Sequence, residues 1–156
     1  MIHEFERYHG AVLRELIVKV GKSTEIRVVD DAGRVNSFVV NDSLILYIKH
    51  SSKRLSPWQF TFTSDNLAEI NRLSQHNLPI WLIFVCGQDG MLAISYEEFQ
   101  FINPVDATTT SFVRVDRDRN TMYRVNGTQT KLRSPKPRGI SSIITALLEM
   151  KVRFNT

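Results

Sequence analysis

Two apolar runs, Leu44-Ile45-Leu46-Tyr47-Ile48 and Ile80-Trp81-Leu82-Ile83-Phe84-Val85-Cys86, constrain this chain more than anything else in it. A strand with one face in water alternates apolar and polar residues, whereas a strand that does not alternate has to be covered on both faces, as inner strands of parallel or mixed sheets are. Residues 44 to 50 and 80 to 86 are therefore predicted to be adjacent central strands. Between them lie an alternating strand, Trp58-Gln59-Phe60-Thr61-Phe62, and a helix over 65 to 76 carrying Leu67, Ile70 and Leu73, with Ser64 or Asp65 as its cap. A helix between two buried strands predicts that both belong to one mixed sheet. The first run ends in Lys49, and a lysine there needs a partner or a task.

On either side the pattern is regular. Phe5, Tyr8, Val12, Leu16 and Val20 recur at spacings of three and four, which predicts an amphipathic helix over 3 to 20, stopped by Gly21. Glu4, Tyr8 and Glu15 fall along one flank of its apolar stripe, so Glu15 is a candidate to face a neighbouring cleft. Glu25 to Val29 and Val35 to Val40 read as a hairpin, with Asp30 and Asp31 near its tip. After the second buried run, Gly87-Gln88-Asp89-Gly90 reads as a turn into a strand over 91 to 94. Ser95 and Glu98 have capping-box spacing for a short helix that Pro104 ends. A second hairpin spans Thr110 to Val115 and Thr121 to Val125. The basic, proline-containing segment Gly127 to Gly139 reads as a long surface loop, and Ile140, Ile143, Ile144, Leu147 and Leu148 define a last helix.

Length and composition narrow the classes. A chain of 156 residues is one domain by size and, burying roughly 70% of its unfolded surface, forms a core without metal or disulfide support. Cys86 is the lone cysteine, which excludes an internal disulfide and a cysteine-based metal cluster; it reads as a buried, inert thiol. His3, His9, His50 and His76 show no spacing that brings two imidazoles onto one helical turn, and there is no glycine-rich phosphate loop. Trp58 and Trp81 read as core. No apolar run approaches the roughly 20 residues that span a membrane, and the N-terminus lacks the layout of a secretory signal, so a cytoplasmic protein with no membrane partner is expected. The net charge of +4 is compatible with an anionic partner.

The order helix, hairpin, buried strand ending in lysine, strand, helix, buried strand resembles the core of the PD-(D/E)XK nuclease-like superfamily, over roughly residues 3 to 95. The resemblance implies an α/β (α+β) fold of restriction endonuclease-like type: a single domain, 1–156, with a central mixed β-sheet flanked by helices. The C-terminal hairpin, basic loop and helix, 110 to 152, add to that core. In active members of the family, carboxylates hold Mg²⁺ on the scissile phosphate and a lysine steadies the water or the developing charge. By that resemblance Lys49 matches the motif lysine, Asp42 is the candidate first acid and Glu15 the candidate helix acid, but Tyr47 stands where the second acid belongs. A phenol, protonated at neutral pH, is a poor ligand for a hard cation.

The function that fits is a nuclease-like domain with an incomplete metal site, binding DNA or RNA without cleaving it and without a cofactor. Lys53 and Arg54, just beyond the central strand, and Lys131, Arg133, Lys136 and Arg138 in the basic loop are the candidate phosphate contacts. One alternative is a protein-interaction or assembly module, with a protein partner or a homo-oligomer. A further alternative is an active, Mg²⁺-dependent nuclease whose acid has moved to Glu15, Asp42 or Glu69.

Overall fold

In the computed structural model of the protein, residues 1–29, 35–103 and 110–154 are described. The hairpin tip with Asp30 and Asp31, and Pro104, lie outside them. The chain runs α1 (Glu4–Val20), β1 (Ile26–Val28), β2 (Ser37–Val40), β3 (Leu44–Ser51), β4 (Trp58–Phe62), α2 (Ser64–Ser74), β5 (Ile80–Cys86), β6 (Gly90–Ser95), α3 (Tyr96–Ile102), β7 (Ser111–Asp116), β8 (Arg124–Asn126) and α4 (Ser141–Phe154). This is an α+β domain with a mixed sheet of five strands, in the order β1-β2-β3-β5-β6, and a second sheet in the order β4-β7-β8.

The two apolar runs are neighbours, as their lack of alternation requires. β3 and β5 pair in parallel from Ile45↔Ile80 to Ser51↔Cys86, and every other pairing in the large sheet is antiparallel. Alternation then assigns the faces. Leu44, Leu46, Ile48, Ile83 and Val85 join Val12, Leu16 and Val20 of α1 and Ile143 and Leu147 of α4 in one buried cluster. Ile45, Tyr47, Leu82, Phe84 and Cys86 join the inner faces of β4 and β7 and the apolar sides of α2 and α3 in the other. The large sheet is thus covered by helices on one side and by the small sheet with two helices on the other.

Several expectations change in detail. β4 lies within the stretch that reads as the nuclease-like core, yet it pairs antiparallel with β7 in the small sheet, Trp58↔Val115 to Phe62↔Ser111. Its alternation shows that one face is buried without saying which sheet it joins. The cap of α2 is Thr63, neither Ser64 nor Asp65: its hydroxyl accepts from Asn66 N, and Asn66 Oδ1 accepts from Thr63 N. The basic segment is pinned. Tyr123 and Lys136 exchange both backbone hydrogen bonds, Leu132 N donates to Val125 O and Gly139 N to Met91 O. Among the described residues, no helix is long and apolar enough to cross a membrane.

Candidate functional site

Lys49 leaves the last turn of pleat in β3 on the face that carries Tyr47, and it meets α2. Its Nζ donates to Asn66 Oδ1 at 3.2 Å and lies 4.9 Å from the centroid of the Phe62 ring. Burial lowers the Lys49 pKa and the charge of Glu69 opposes that shift. Tyr47 is fully buried, and its hydroxyl has no hydrogen-bond partner among the described residues. Burial and then the Glu69 carboxylate push the pKa of that phenol up. Lys49 is therefore tied to the cap of α2, and the one acid of the three alternatives that shares its surroundings is Glu69.

The other two candidate acids stand elsewhere. Asp42 sits in the turn between β2 and β3 with φ of 49° and bonds Arg27 at 2.8 Å. Lys49 lies seven positions further along the chain, roughly 20 Å away at the rise of a strand. Short polar side chains tolerate that left-handed conformation, so the turn accounts for Asn41 and Asp42 without a metal. Glu15 belongs to α1, across the sheet from Lys49, where it lines a cleft of about 390 Å³ with Lys19 and Arg138. Lys49, Asp42 and Glu15 do not share a site. Among the described residues, no group of three or more His, Cys, Asp or Glu side chains is arranged to hold a metal ion.

A different constellation forms at the carboxyl end of β3 and β5. Because those strands are parallel and in register at Ser51↔Cys86, the loop 52–57 and the turn 87–89 leave the sheet side by side. Gly87 N donates to Ser51 O, and a Cβ on Gly87, where φ is +53°, would stand 2.4 Å from Lys53 O; glycine alone allows that approach. Trp58 Nε1 donates to Lys53 O, and Arg117 N donates to Ser56 Oγ, which fastens the same loop to the small sheet. Asp89 is the hub. Arg117 grips it with a two-pronged contact, Nε to Oδ2 at 2.7 Å and Nη2 to Oδ1 at 2.6 Å, and Tyr123 Oη donates to Oδ2 at 2.6 Å. The Arg117 guanidinium holds the Asp89 carboxyl below its ordinary pKa.

Around this hub lie exposed cations. Arg54 and Arg119 line a cleft of about 270 Å³ with Asp89 and Arg117, Lys53 is exposed beside them, and Arg138 Nη2 comes within 4.0 Å of Asp89 Oδ1. Lys53, Arg54 and Arg119 form no ion pair among the described residues. The remaining basic candidates divide. Lys131 and Arg133 line a separate cleft of about 600 Å³ along β8 with Arg124, whose guanidinium is already bonded to Asp116 and Asp118. Lys136 is committed to Glu98.

Of the residues that sequence singles out, the fold thus gathers Lys53, Arg54 and Arg138 with Arg117 and Arg119, and leaves Lys131, Arg133 and Lys136 apart. Asp89, Arg117 and Tyr123 carry no local signal for this role, since 28 and 34 residues separate Asp89 from its two partners. What the fold and site define is an α+β domain with a cation-rich end fixed by one carboxylate. No family model matches the chain, and neither does any curated protein or solved structure.

Proposed function

We propose that the protein is a nuclease-like domain that binds nucleic acid through its phosphates and does not cleave it, acting in the cytoplasm. The observation that carries this reading is the set of exposed cations on loops held to one frame. Lys53, Arg54 and Arg119, which form no ion pair among the described residues, stand around a hub in which Asp89 offsets the Arg117 charge and also pairs with Arg138 at 4.0 Å. Phosphates release counterions when they meet such a surface, which gives affinity without sequence preference. The order of elements from α1 to β5 is the one on which the nuclease-like resemblance rests. The lack of cleavage follows from the surroundings of Lys49, where Tyr47, Asn66 and Glu69 offer one carboxylate in place of the two or more that position Mg²⁺ on a scissile phosphate.

A second reading, a protein-interaction module, is favoured by the exposed apolar side chains Ile17 and Val18 on α1 and Val28 on the edge strand β1. Two assays separate these readings. Oligonucleotides of unrelated sequence should bind at low salt with similar affinity, whereas an interaction module would bind none. Incubation with Mg²⁺ or Mn²⁺ should leave DNA and RNA intact. Turnover that Lys49→Ala removes would show instead an active nuclease whose acid has moved, and its loss in Glu69→Gln would assign that acid to Glu69.

A further inference from the structure

On the other side of the strip formed by loop 52–54 and turn 87–90 lies a cavity of about 500 Å³, lined by Glu4, Arg7, Tyr8, Ser52, Gln88 and Met91 among others. Tyr8 is stacked on His50, with ring centroids 4.8 Å apart and planes 19° from parallel, so the cavity has part of a flat two-ring stack in its wall. Burial lowers the His50 pKa, which favours the neutral imidazole beneath Tyr8. We propose that the cavity takes an unpaired nucleobase against Tyr8, so that the nucleic acid bound is single-stranded. The inference rests on the phosphate-binding reading above and assigns the substrate class at that same end of the molecule.

Three features support it. The cavity, open to solvent on one side, has a volume in the range of clefts that take small organic ligands. Its polar groups are mixed, with the Gln88 amide and the Ser52 hydroxyl beside the charged Glu4 and Arg7, which suits the donor and acceptor edge of a base. Glu4 and Arg7 leave the cavity wall without net charge, whereas the cations lie just outside: Lys53 and Arg54 follow Ser52 directly, and Asp89 with its cationic ring follows Gln88. The strip between base and phosphate sites is closely packed, since Gly87 N donates to Ser51 O and the Lys53 carbonyl leaves no room for a Cβ on Gly87. At Gly90 an added Cβ would stand 2.9 Å from Arg138 Nε, so Arg138 flanks the same strip. A base in a duplex has both faces covered by its neighbours and cannot enter, while an unpaired one can be splayed out and stacked on an aromatic ring.

The test compares three probes of equal length at one salt concentration: a single-stranded oligonucleotide, its duplex, and a single strand whose nucleotides are abasic. Fluorescence anisotropy of the wild-type protein should show the single strand bound about tenfold tighter than the abasic strand, the gain expected of base–aromatic stacking. It should also be preferred over the duplex. Tyr8→Ala should reduce single-strand affinity to that of the abasic strand and leave the abasic and duplex affinities unchanged, while Tyr8→Phe should behave as wild type. Ala11→Leu, at an exposed helix position in the wall of the same cavity, narrows it with an aliphatic side chain that offers no ring to stack on, and it should abolish the preference even if Tyr8→Ala folds poorly. Equal affinity of the wild type for the single strand and the abasic strand, or a preference that survives Ala11→Leu, would overturn the base site while leaving the phosphate reading intact. Binding of none of the three probes would overturn both.

Discussion

Asp89 shows how much one side chain can organise. Its side chain is about 20% exposed and that of Arg117 about 16%, so their contact is largely shielded from water, and the Tyr123 hydroxyl joins it from β7's partner segment. Asp89→Asn keeps the shape but removes the charge, and it should destabilise the fold by roughly 2 kcal/mol, as loss of a charged hydrogen bond does. The pH dependence follows from the direction of the shift. Asp89 has a folded-state pKa below 3.8, so its contribution is present above that value and is lost as pH falls through the folded pKa. Melts of wild type and Asp89→Asn should accordingly converge at strongly acidic pH. His9 behaves similarly for a different reason. It is buried against Phe5 and Phe38, and burial followed by the charge of His50 lowers its pKa from 6.5. The unfolded chain then binds the proton more readily, so stability is full above that value and declines as pH drops below it. The loss of Tm from about pH 7 to about pH 5 should be smaller in His9→Phe than in wild type. Neither role was legible in the sequence: Asp89 reads there as a turn residue, and His9 carries no apolar signal although it faces the core.

Elements were more legible than contacts. The lack of alternation in β3 and β5 placed them at the centre of the large sheet, and the three-and-four spacing of Phe5, Tyr8, Val12, Leu16 and Val20 placed α1 on it. Both signals are periodic and local. Which sheet β4 joins is set by its pairing with β7, about 50 residues later, and no local pattern encodes that choice. The cap of α2 is a case of excess signal, since Thr63, Ser64, Asp65 and Asn66 are all competent side chains in consecutive positions. The structure selects Thr63, because Asn66 then falls third in the helix, closes the reciprocal pair and accepts from Lys49. Thr63→Ala should cost about 1 kcal/mol in chemical denaturation. Ser64→Ala should cost little, and a reversed order would show that the helix starts one residue later.

At the scale of the molecule, the large sheet separates two regions that sequence placed together. Glu15 and α1 lie on one face and Lys49 on the other, with Asp42 at the far end of β3, so a site assembled from chain order alone dissolves once the strands are layered. What the parallel pairing of β3 and β5 assembles instead is their shared carboxyl end, where loop 52–57, turn 87–89, the β7–β8 turn and Arg138 meet. Lys53 and Arg54 were legible there because they follow the buried strand directly; Arg117 and Arg119 were visible as basic residues of one hairpin and Arg138 of the loop after it, but not as neighbours of Lys53 and Arg54. The measurement that bears most directly on the account is the salt dependence of nucleic-acid binding by wild type and by the triple variant Lys53→Ala, Arg54→Ala, Arg138→Ala. The account predicts a linear fall of log affinity with log salt for wild type, and a slope shallower by about one unit for each phosphate contact removed, with the same loss for unrelated sequences. Identical slopes for the two proteins, or no binding by wild type at low salt, would contradict it.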